Sequence, residues 1–352
     1  MARKIRVLLV DDSALARLFL RSIFESDDAF EVMAEASNGT EAVAQVKRQR
    51  PDLISMDLEM PQMRGMAAIE EIMSFRPTPI LVVSDYTNAQ SAYAAVSQGA
   101  VDVVAKPGLS EGEIRAFLER ARLVARIPVI THVRALRCPP LVRTAAVPAL
   151  PRLLPNPERV QQRPIFAIAS STGGPQALAQ ILSQLPSDFD CAILIAQHVV
   201  PGFAAGMAKW LATVSNLPVK LAELGEPIIP GQVYLSPSEM HLNISRNRRV
   251  DLQEVRASDV YRPSCNRLLE SVALVYGGLS VGIILTGMGS DGAKGMAFIK
   301  TAGGYTLAQD ESSSVVYGMN RVAIESRQID RVLPLDEMAD AMVRLAKRIM
   351  QP

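Results

Sequence analysis

Residues with reactive or metal-binding side chains are scarce in this sequence of 352 residues, which has three cysteines and three histidines. The cysteines are Cys138, Cys191 and Cys265, an odd number without the close spacing of a zinc motif. Disulfide frameworks use an even set of cysteines, and zinc motifs use closely spaced pairs. The sequence therefore predicts neither kind of motif.

An excess of charge of one sign is also missing, because 37 Lys and Arg residues face 36 Asp and Glu residues and the net charge is +1. This balance gives no reason to expect nucleic acid or an anionic membrane as a partner. The first apolar run, in MARKIRVLLVDD, meets two acidic residues after a few positions, which is too short for a signal peptide or a membrane span. We expect a cytoplasmic protein that does not bind nucleic acid and does not insert into a membrane.

The length and the hydrophobic pattern predict two α/β domains, since a chain this long rarely builds one core. Residues 1–122 alternate short apolar runs with helical patterns, and this rhythm resumes over 164–352. Each half is predicted to be a doubly wound parallel sheet, and the proline-rich residues 123–163 a linker. The predicted strands are Val7–Val10, Val32–Ala36, Leu53–Met56, Ile80–Val83, Val101–Ala105, Ile165–Ala169, Ala192–Ala196, Val233–Leu235 and Val281–Thr286.

Acidic residues follow two predicted strands of the first half: Asp11 and Asp12 come after the first strand, and Asp57 comes after the third. Ser84 ends the fourth strand and Lys106 the fifth, so all five residues converge at the carboxyl edge of the sheet. Three carboxylates there repel one another unless a hard cation such as Mg²⁺ joins them. Asp57 can then attack a phosphoryl group while Lys106 offsets charge on its oxygens.

This first half resembles the response-regulator receiver family, which has a flavodoxin-like fold. The motifs VDDS, DLEMP, VVS and KP match the family's acidic pair, phosphoacceptor, switch hydroxyl and lysine in order and spacing. The resemblance implies phosphorylation of Asp57 by a chemotaxis histidine kinase, with Mg²⁺ held by Asp11, Asp12 and Asp57. It also implies a switch formed by Ser84 and Lys106.

In the second half, a serine, a histidine and an aspartate each follow a predicted strand. Ser171 lies in IFAIASSTGGPQAL, His198 follows AILIAQ, and Asp291 lies in VGIILTGMGSDGA. One shared sheet would gather them at one edge, where His198 takes the proton of Ser171 and Asp291 orients the imidazole. Backbone amides near Thr172 and Met288 are candidate donors to an oxyanion.

Other interpretations of these residues stay open on residue chemistry alone. Ser170 is an adjacent candidate nucleophile, and Ser171 could be a helix cap. His198 could be structural, and Asp291 could be a turn former. The glycine clusters could suggest nucleotide phosphates, but no GK[ST] follows and GxGxxG is absent.

Residues 164–350 resemble the catalytic domain of the chemotaxis protein-glutamate methylesterase family, whose fold is Rossmann-like. The matching stretches are AIASSTGGPQAL, QHVVPGF, RPSCNRLLES, GIILTGMGSDGAKGM and AQDESSSVVYGM. The resemblance assigns the nucleophile to Ser171 rather than Ser170, and places Gln197 and His198 in the family's Gln-His pair. It implies a phosphorylation-activated hydrolase that demethylates glutamates, and deamidates glutamines, on methyl-accepting chemoreceptors. No cofactor is implied for the esterase reaction.

Two other function classes compete with this one. A phosphorylation-controlled adaptor would bind receptor arrays without catalysing a reaction. Asn266, Ser238 and Asn320 differ from the residues usual in the family and are expected near the substrate groove, so the adaptor stays an alternative. A DNA-binding regulator would carry a basic helix-turn-helix pattern after the linker, and none is present. Methanol release from methylated receptors separates the esterase from the adaptor.

Overall fold

A computed structural model describes residues 3–85, 89–127, 129, 163–256 and 258–351 of the chain. Its residues divide into two compact units, Met1–Arg137 and Cys138–Pro352. Within the described ranges, no helix has both the length and the apolar character needed to cross a membrane.

The first unit is built on a parallel sheet of five strands in the order β2-β1-β3-β4-β5, which is the flavodoxin-like order. Short side chains cap several of its helices: the Ser13 hydroxyl, for example, accepts a hydrogen bond from the amide of Ala16 at 3.3 Å. The strands are β1 (Ile5–Val10), β2 (Phe30–Ala36), β3 (Leu53–Met56), β4 (Ile80–Ser84) and β5 (Asp102–Ala105). The helices are α1 (Ala14–Glu25), α2 (Gly39–Gln49), α3 (Gly65–Phe75), α4 (Ala89–Ser97) and α5 (Glu111–Val124).

The second unit is built on a parallel sheet of seven strands in the order β14-β13-β12-β6-β7-β9-β8, and an antiparallel pair, β10 and β11, lies outside that sheet. The strands are β6 (Ile165–Ser170), β7 (Ala192–Gln197), β8 (Val219–Leu221), β9 (Val233–Leu235), β10 (Met240–Ile244), β11 (Val250–Glu254), β12 (Ser280–Ile284), β13 (Tyr305–Gln309) and β14 (Arg331–Leu333). The helices are α6 (Gly174–Gln184), α7 (Ala204–Val214), α8 (Cys265–Tyr276), α9 (Ala293–Thr301), α10 (Met319–Glu325) and α11 (Leu335–Met350), with a short 3₁₀ turn at Gly277–Leu279.

Burial explains why these strands form where they do. The three central strands β12, β6 and β7 are fully buried along their length, because helices cover both faces of the sheet. Their near-continuous apolar sequences are typical of strands with two buried faces. The chain reverses direction of winding at β6, so the carboxyl ends of β12, β6 and β7 adjoin the crevice where open α/β sheets bind ligands.

The α/β architecture with parallel sheets, predicted from the alternating pattern, is confirmed. Strand β12 ends at Ile284 rather than Thr286, because the Thr286 amide donates to the side chain of Gln309 at 2.9 Å instead of to a strand. The strands β8, β10, β11, β13 and β14 were not among the predicted strands. Helix α5 extends to Val124, two residues into the expected linker 123–163, and most of that segment lies outside the described residues, so the linker and the domain boundaries stay predictions.

Candidate active site

Ser171 follows directly on the central strand β6 and begins a tight turn into helix α6. Gly173 in this turn has a φ of 79°, a left-handed conformation that favours glycine. The Gly174 amide closes the turn by donating to the carbonyl of Ser171 at 2.8 Å, and Pro175 lies in the first turn of the helix. The amides at this helix N-terminus lie beside Ser171, where they favour a developing negative charge.

The side chains of Ser171, His198 and Asp291 form one chain of contacts. His198 Nδ1 lies 3.2 Å from Ser171 Oγ, and His198 Nε2 lies 2.9 Å from Asp291 Oδ2. Because an ionised carboxylate only accepts hydrogen bonds, the neutral imidazole carries its proton on Nε2 and turns the lone pair of Nδ1 to the serine. This is the arrangement a histidine needs to take a proton from a serine hydroxyl.

Asp291 is fully buried and is held by backbone amides. Its Oδ2 accepts from the amide of Cys265 at 2.6 Å, and its Oδ1 accepts from the amide of Asn266 at 3.0 Å, both at the start of helix α8. Burial by itself would raise the pKa of Asp291, but the hydrogen bond and charge of His198 and these amides outweigh it and lower the pKa. The carboxylate therefore stays ionised and fixed in orientation.

The neighbouring serine, Ser170, has a different set of partners. Its hydroxyl donates to Oε1 of Gln197 at 2.6 Å, and its side chain is completely buried. Gln197 in turn donates through Nε2 to the carbonyls of Ser171 and His198, both at 2.8 Å. Ser170 and Gln197 thus tie the turn after β6 to the turn after β7. The backbone carbonyl of Ser170 accepts a hydrogen bond from the amide of His198 at 3.0 Å, but of the two serine hydroxyls it is that of Ser171 that contacts the imidazole.

Gly174 stands where there is no space for a side chain. A Cβ at this position would collide with Oε1 of Gln197, so Gly174→Ala must displace a buried side chain that makes three hydrogen bonds. We expect the free energy of unfolding to fall by about 1–3 kcal/mol, the usual cost of overpacking. Urea unfolding followed by fluorescence of Trp210, the single tryptophan, reports on this unit. Gly278→Ala is the matched control in the same unit, because the nearest atom to its Cβ would be the carbonyl oxygen of Gly303 at 3.7 Å, an ordinary van der Waals contact. Equal losses in both variants would contradict the prediction.

Thr172 and Met288, expected near an oxyanion, flank the serine on two sides. Thr172 is buried, and its carbonyl accepts a hydrogen bond from the hydroxyl of Thr286 at 2.9 Å. A Cβ built on Gly287 would lie 2.7 Å from Cβ of Ser171, so the segment that leads to Met288 passes directly against the nucleophile. Met288 itself is 54% exposed. Their role as amide donors stays a prediction.

Sequence reasoning missed Tyr261, which contacts His198, and His241, which holds the loop that carries Tyr261. The ring of Tyr261 stacks on the imidazole of His198, with centroids 5.3 Å apart and planes 9° apart. Buried His241 accepts from the amide of Ser264 at 2.9 Å through Nδ1 and contacts Asp259 at 2.9 Å through Nε2. The hydrogen bond from His241 lowers the pKa of the Asp259 carboxyl to about 2. These contacts anchor the loop that carries Tyr261. No local sequence motif predicts them.

At the carboxyl edge of the first sheet, the ligand atoms of Asp11, Asp12 and Asp57 lie within 4.8 Å of one another. Lys106 Nζ contacts Asp11 Oδ2 at 2.9 Å and Asp57 Oδ2 at 2.8 Å. Ser84, at the end of β4, is buried on the neighbouring strand. The five residues expected here therefore lie at one edge of one sheet.

The charges at this edge fit a hard divalent cation. Burial raises the pKa of Asp11, because few water molecules solvate its carboxylate. Burial alone would lower the pKa of Lys106, but hydrogen bonds to Asp57 and Asp11 outweigh it and raise the pKa. Lys106 contacts two of the three carboxylates, so its single positive charge leaves negative charge over at this edge. Oxygen ligands of this kind suit Mg²⁺.

Comparison with known proteins gives matches over both units. The family model described as CheB methylesterase matches residues 166–342, and the model described as response regulator receiver domain matches residues 7–119. A protein-glutamate methylesterase/protein-glutamine glutaminase of Paramagnetospirillum magneticum is 52% identical over 97% of this chain and 96% of its own length. One of the same name from Anaeromyxobacter dehalogenans is 42% identical over 98% of each chain.

A solved structure agrees with these sequence matches. The CheB methylesterase catalytic domain of Thermotoga maritima is 37% identical and has a TM-score of 0.50, covering 52% of this chain and 98% of that domain. Matches of this extent, together with the receiver match in the first unit, fix the family. The chain belongs to the CheB methylesterase family, with a response regulator receiver domain in its first unit.

Proposed function

We propose that this chain hydrolyses glutamate methyl esters on methyl-accepting chemoreceptors, deamidates selected receptor glutamines, and is activated by phosphorylation of Asp57. The observation that carries the proposal is the chain of contacts from Ser171 through His198 to Asp291. The names of the relatives supply the substrate class, glutamate methyl esters and glutamines in proteins. The match of residues 7–119 to a response regulator receiver domain supports phosphorylation of this chain, and we propose a chemotaxis histidine kinase as the phosphodonor.

The first step is acyl transfer to the serine. Ser171 Oγ attacks the ester carbonyl as His198 Nδ1 accepts its proton, and Asp291 stabilises the imidazolium that forms. The oxyanion develops beside the amides at the start of α6 and near Met288. The imidazolium then gives its proton to the leaving oxygen, and methanol departs.

The second step hydrolyses the acyl-enzyme. Water enters the position that methanol left, and His198 Nδ1 removes a proton from it as it attacks the acyl carbonyl. Collapse of the tetrahedral intermediate returns that proton to Ser171 and releases the glutamate carboxyl group, which then loses the second proton of the water to solvent. For a glutamine substrate the same residues act, and ammonia leaves in place of methanol.

Regulation starts at the receiver edge. Asp11, Asp12 and Asp57 would hold Mg²⁺, which offsets charge on the phosphoryl oxygens when bound. The Asp57 carboxylate attacks the phosphorus of the donor, and the bond between phosphorus and the donor breaks with its electron pair going to the leaving group. Lys106 then moves from carboxylate to phosphoryl oxygen as the charge shifts. Ser84, at the end of the adjacent strand, is placed to sense the new oxygens, and the resulting population shift activates the hydrolase.

The deciding experiment incubates the full chain with receptor membranes that carry methyl-labelled glutamates, with and without a small-molecule phosphodonor and Mg²⁺. Released methanol that increases with phosphodonor supports the proposal. Binding to the membranes without release of methanol would instead support the non-enzymatic adaptor.

Asp57→Asn tests the regulatory part separately. We expect this variant to keep the basal rate of methanol release and to lose the increase caused by phosphodonor, because an amide cannot form the acyl phosphate. Asp28→Asn is the matched control, since Asp28 is exposed and precedes β2 at the opposite edge of the sheet. Unchanged stimulation of Asp57→Asn would show that activation does not pass through this carboxylate.

A further inference from the structure

One thiol lies inside the hydrolase site without a part in the proposed reaction. Cys265 Sγ is 3.6 Å from His198 Nε2, on the side of the imidazole that faces Asp291. The ligand atoms of these three residues all lie within 4.8 Å of one another. We propose that His198, Cys265 and Asp291 form a binding site for a thiophilic divalent cation, Zn²⁺ above all, and that the bound ion inhibits the hydrolase.

The distances suit a tetrahedral ion. Zinc binds sulfur at about 2.3 Å and nitrogen or oxygen at about 2.0–2.2 Å, so ligand atoms of one tetrahedral site lie roughly 3.4–3.6 Å apart. The observed separations are 3.6 Å from sulfur to nitrogen and 2.9 Å from nitrogen to oxygen. Nε2 and Oδ2 must therefore move apart by roughly half an ångström to admit the ion. The sulfur lies within 4.8 Å of the Asp291 oxygen, and three protein ligands leave the fourth position to water.

The ligand types select the metal. A thiolate and a carboxylate carry two negative charges, which match a divalent cation beside a neutral imidazole. Sulfur and imidazole favour zinc-like ions over Mg²⁺, which prefers oxygen. The oxygen-only set Asp11, Asp12 and Asp57 in the receiver has the opposite preference, so one chain offers two cation sites with different selectivity.

The protein already holds two of these ligands in place. Cys265 is fully buried at the start of α8, where its thiol donates to the carbonyl of Ala196 at 3.3 Å. Asp291 keeps its amide donors at Cys265 and Asn266 whether it faces a proton or a metal. Such outer hydrogen bonds orient ligands at metal sites and raise their affinity. His198, with 12% of its side chain exposed, is the ligand that solvent reaches.

Occupancy of the site would disable the histidine. An ion on Nε2 displaces the proton there, and the neutral imidazole then carries it on Nδ1, the atom that faces Ser171. An Nδ1–H cannot accept the serine proton. The thiol proton of Cys265 leaves to solvent as the thiolate forms, so one proton is released for each ion bound. Inhibition in this form rests on the proposed function, whereas the metal site does not.

The test uses Co²⁺ as a spectroscopic substitute for Zn²⁺ on the full chain. Coordination by a thiolate gives a sulfur-to-cobalt charge-transfer absorption, which the receiver carboxylates cannot give. We expect this absorption in the wild type and in Cys191→Ala, its loss in Cys265→Ala, and its displacement by added Zn²⁺. The Zn²⁺ concentration that halves methanol release should rise about 100-fold or more in Cys265→Ala, since outer-shell changes alone cost 10–100-fold.

Each outcome decides a separate point. Absence of the absorption in the wild type, or its persistence in Cys265→Ala, overturns the site, and Cys265→Ser repeats the measurement if Trp210 fluorescence shows that the alanine variant is unfolded. Loss of the absorption with unchanged inhibition by Zn²⁺ overturns the inhibitory role. If metal-free wild type releases no methanol, the proposed function fails, but the spectrum still decides whether the ion binds.

Discussion

Ser171→Ala is expected to lower methanol release from methylated receptors by at least about four orders of magnitude, because removal of a nucleophile leaves only the oxyanion donors and binding. The loss should fall on kcat, since the hydroxyl acts in the bond-making step and not in holding the substrate. Steady-state release of labelled methanol by the full chain, with the phosphodonor present, measures it. Trapping of an acyl-enzyme with wild type and not with the variant would give the same answer independently.

Ser170→Ala is the matched control for this result. Loss of the Ser170 hydroxyl leaves Oε1 of Gln197 without its donor at 2.6 Å, which costs about 1–3 kcal/mol of stability. Its loss of rate should be far smaller than that of Ser171→Ala, because the hydroxyl does not contact His198. A variant without Ser171 that retains near-normal turnover would overturn the assignment of the nucleophile.

This pair of serines also shows where prediction from sequence stopped. Both stand at the junction of a strand and a glycine turn, and residue chemistry gave no reason to prefer either; only the family resemblance did. The choice depends on which hydroxyl meets the histidine, and that depends on the pairing of β6 with β7, which sets Ser170 opposite Gln197. Strand pairing is a long-range property that a local pattern does not encode.

Several strands, and the residues at their ends, could be predicted from the sequence for a clear physical reason. Buried parallel strands such as β3 and β9 are short apolar runs with turn residues on both sides, and both were predicted with their observed bounds. Residues placed at the ends of such strands had to converge, because parallel strands end at one edge. No such rule predicts the contacts of Tyr261 and Cys265 with His198, because these residues lie 63 and 67 positions from it along the chain.

Asp291→Asn is expected to lower kcat by about four orders of magnitude while the fold remains, as loss of the orienting carboxylate does in serine hydrolases of this type. The amide group of the new side chain would face either His198 Nε2 or the amides at the start of α8. If it faces His198, it donates to Nε2, and the imidazole must carry its proton on Nδ1, towards Ser171. If it faces α8, its N–H group points at the amide N–H of Asn266, and that amide loses its hydrogen-bond acceptor.

The dependence of stability on pH gives a second readout for Asp291→Asn. The pKa of Asp291 is lower in the folded protein than its ordinary value, so the carboxylate stabilises the fold above that ordinary value. This contribution is lost as the pH falls through the lowered pKa. The variant has no ionisable group there, so its free energy of unfolding should not show this loss at acid pH. Unfolding followed by Trp210 fluorescence between neutral and acid pH measures the difference.

Asp259→Asn provides the matched control, because Asp259 contacts His241 at the same 2.9 Å separation that joins Asp291 to His198. Its histidine does not face the nucleophile but accepts from the amide of Ser264, so Asp259→Asn should weaken the loop that carries Tyr261 and reduce kcat much less. Comparable losses of kcat in the two variants would mean that any aspartate–histidine pair in this unit supports the reaction through structure alone. A loss confined to Asp291→Asn assigns the catalytic proton relay to His198.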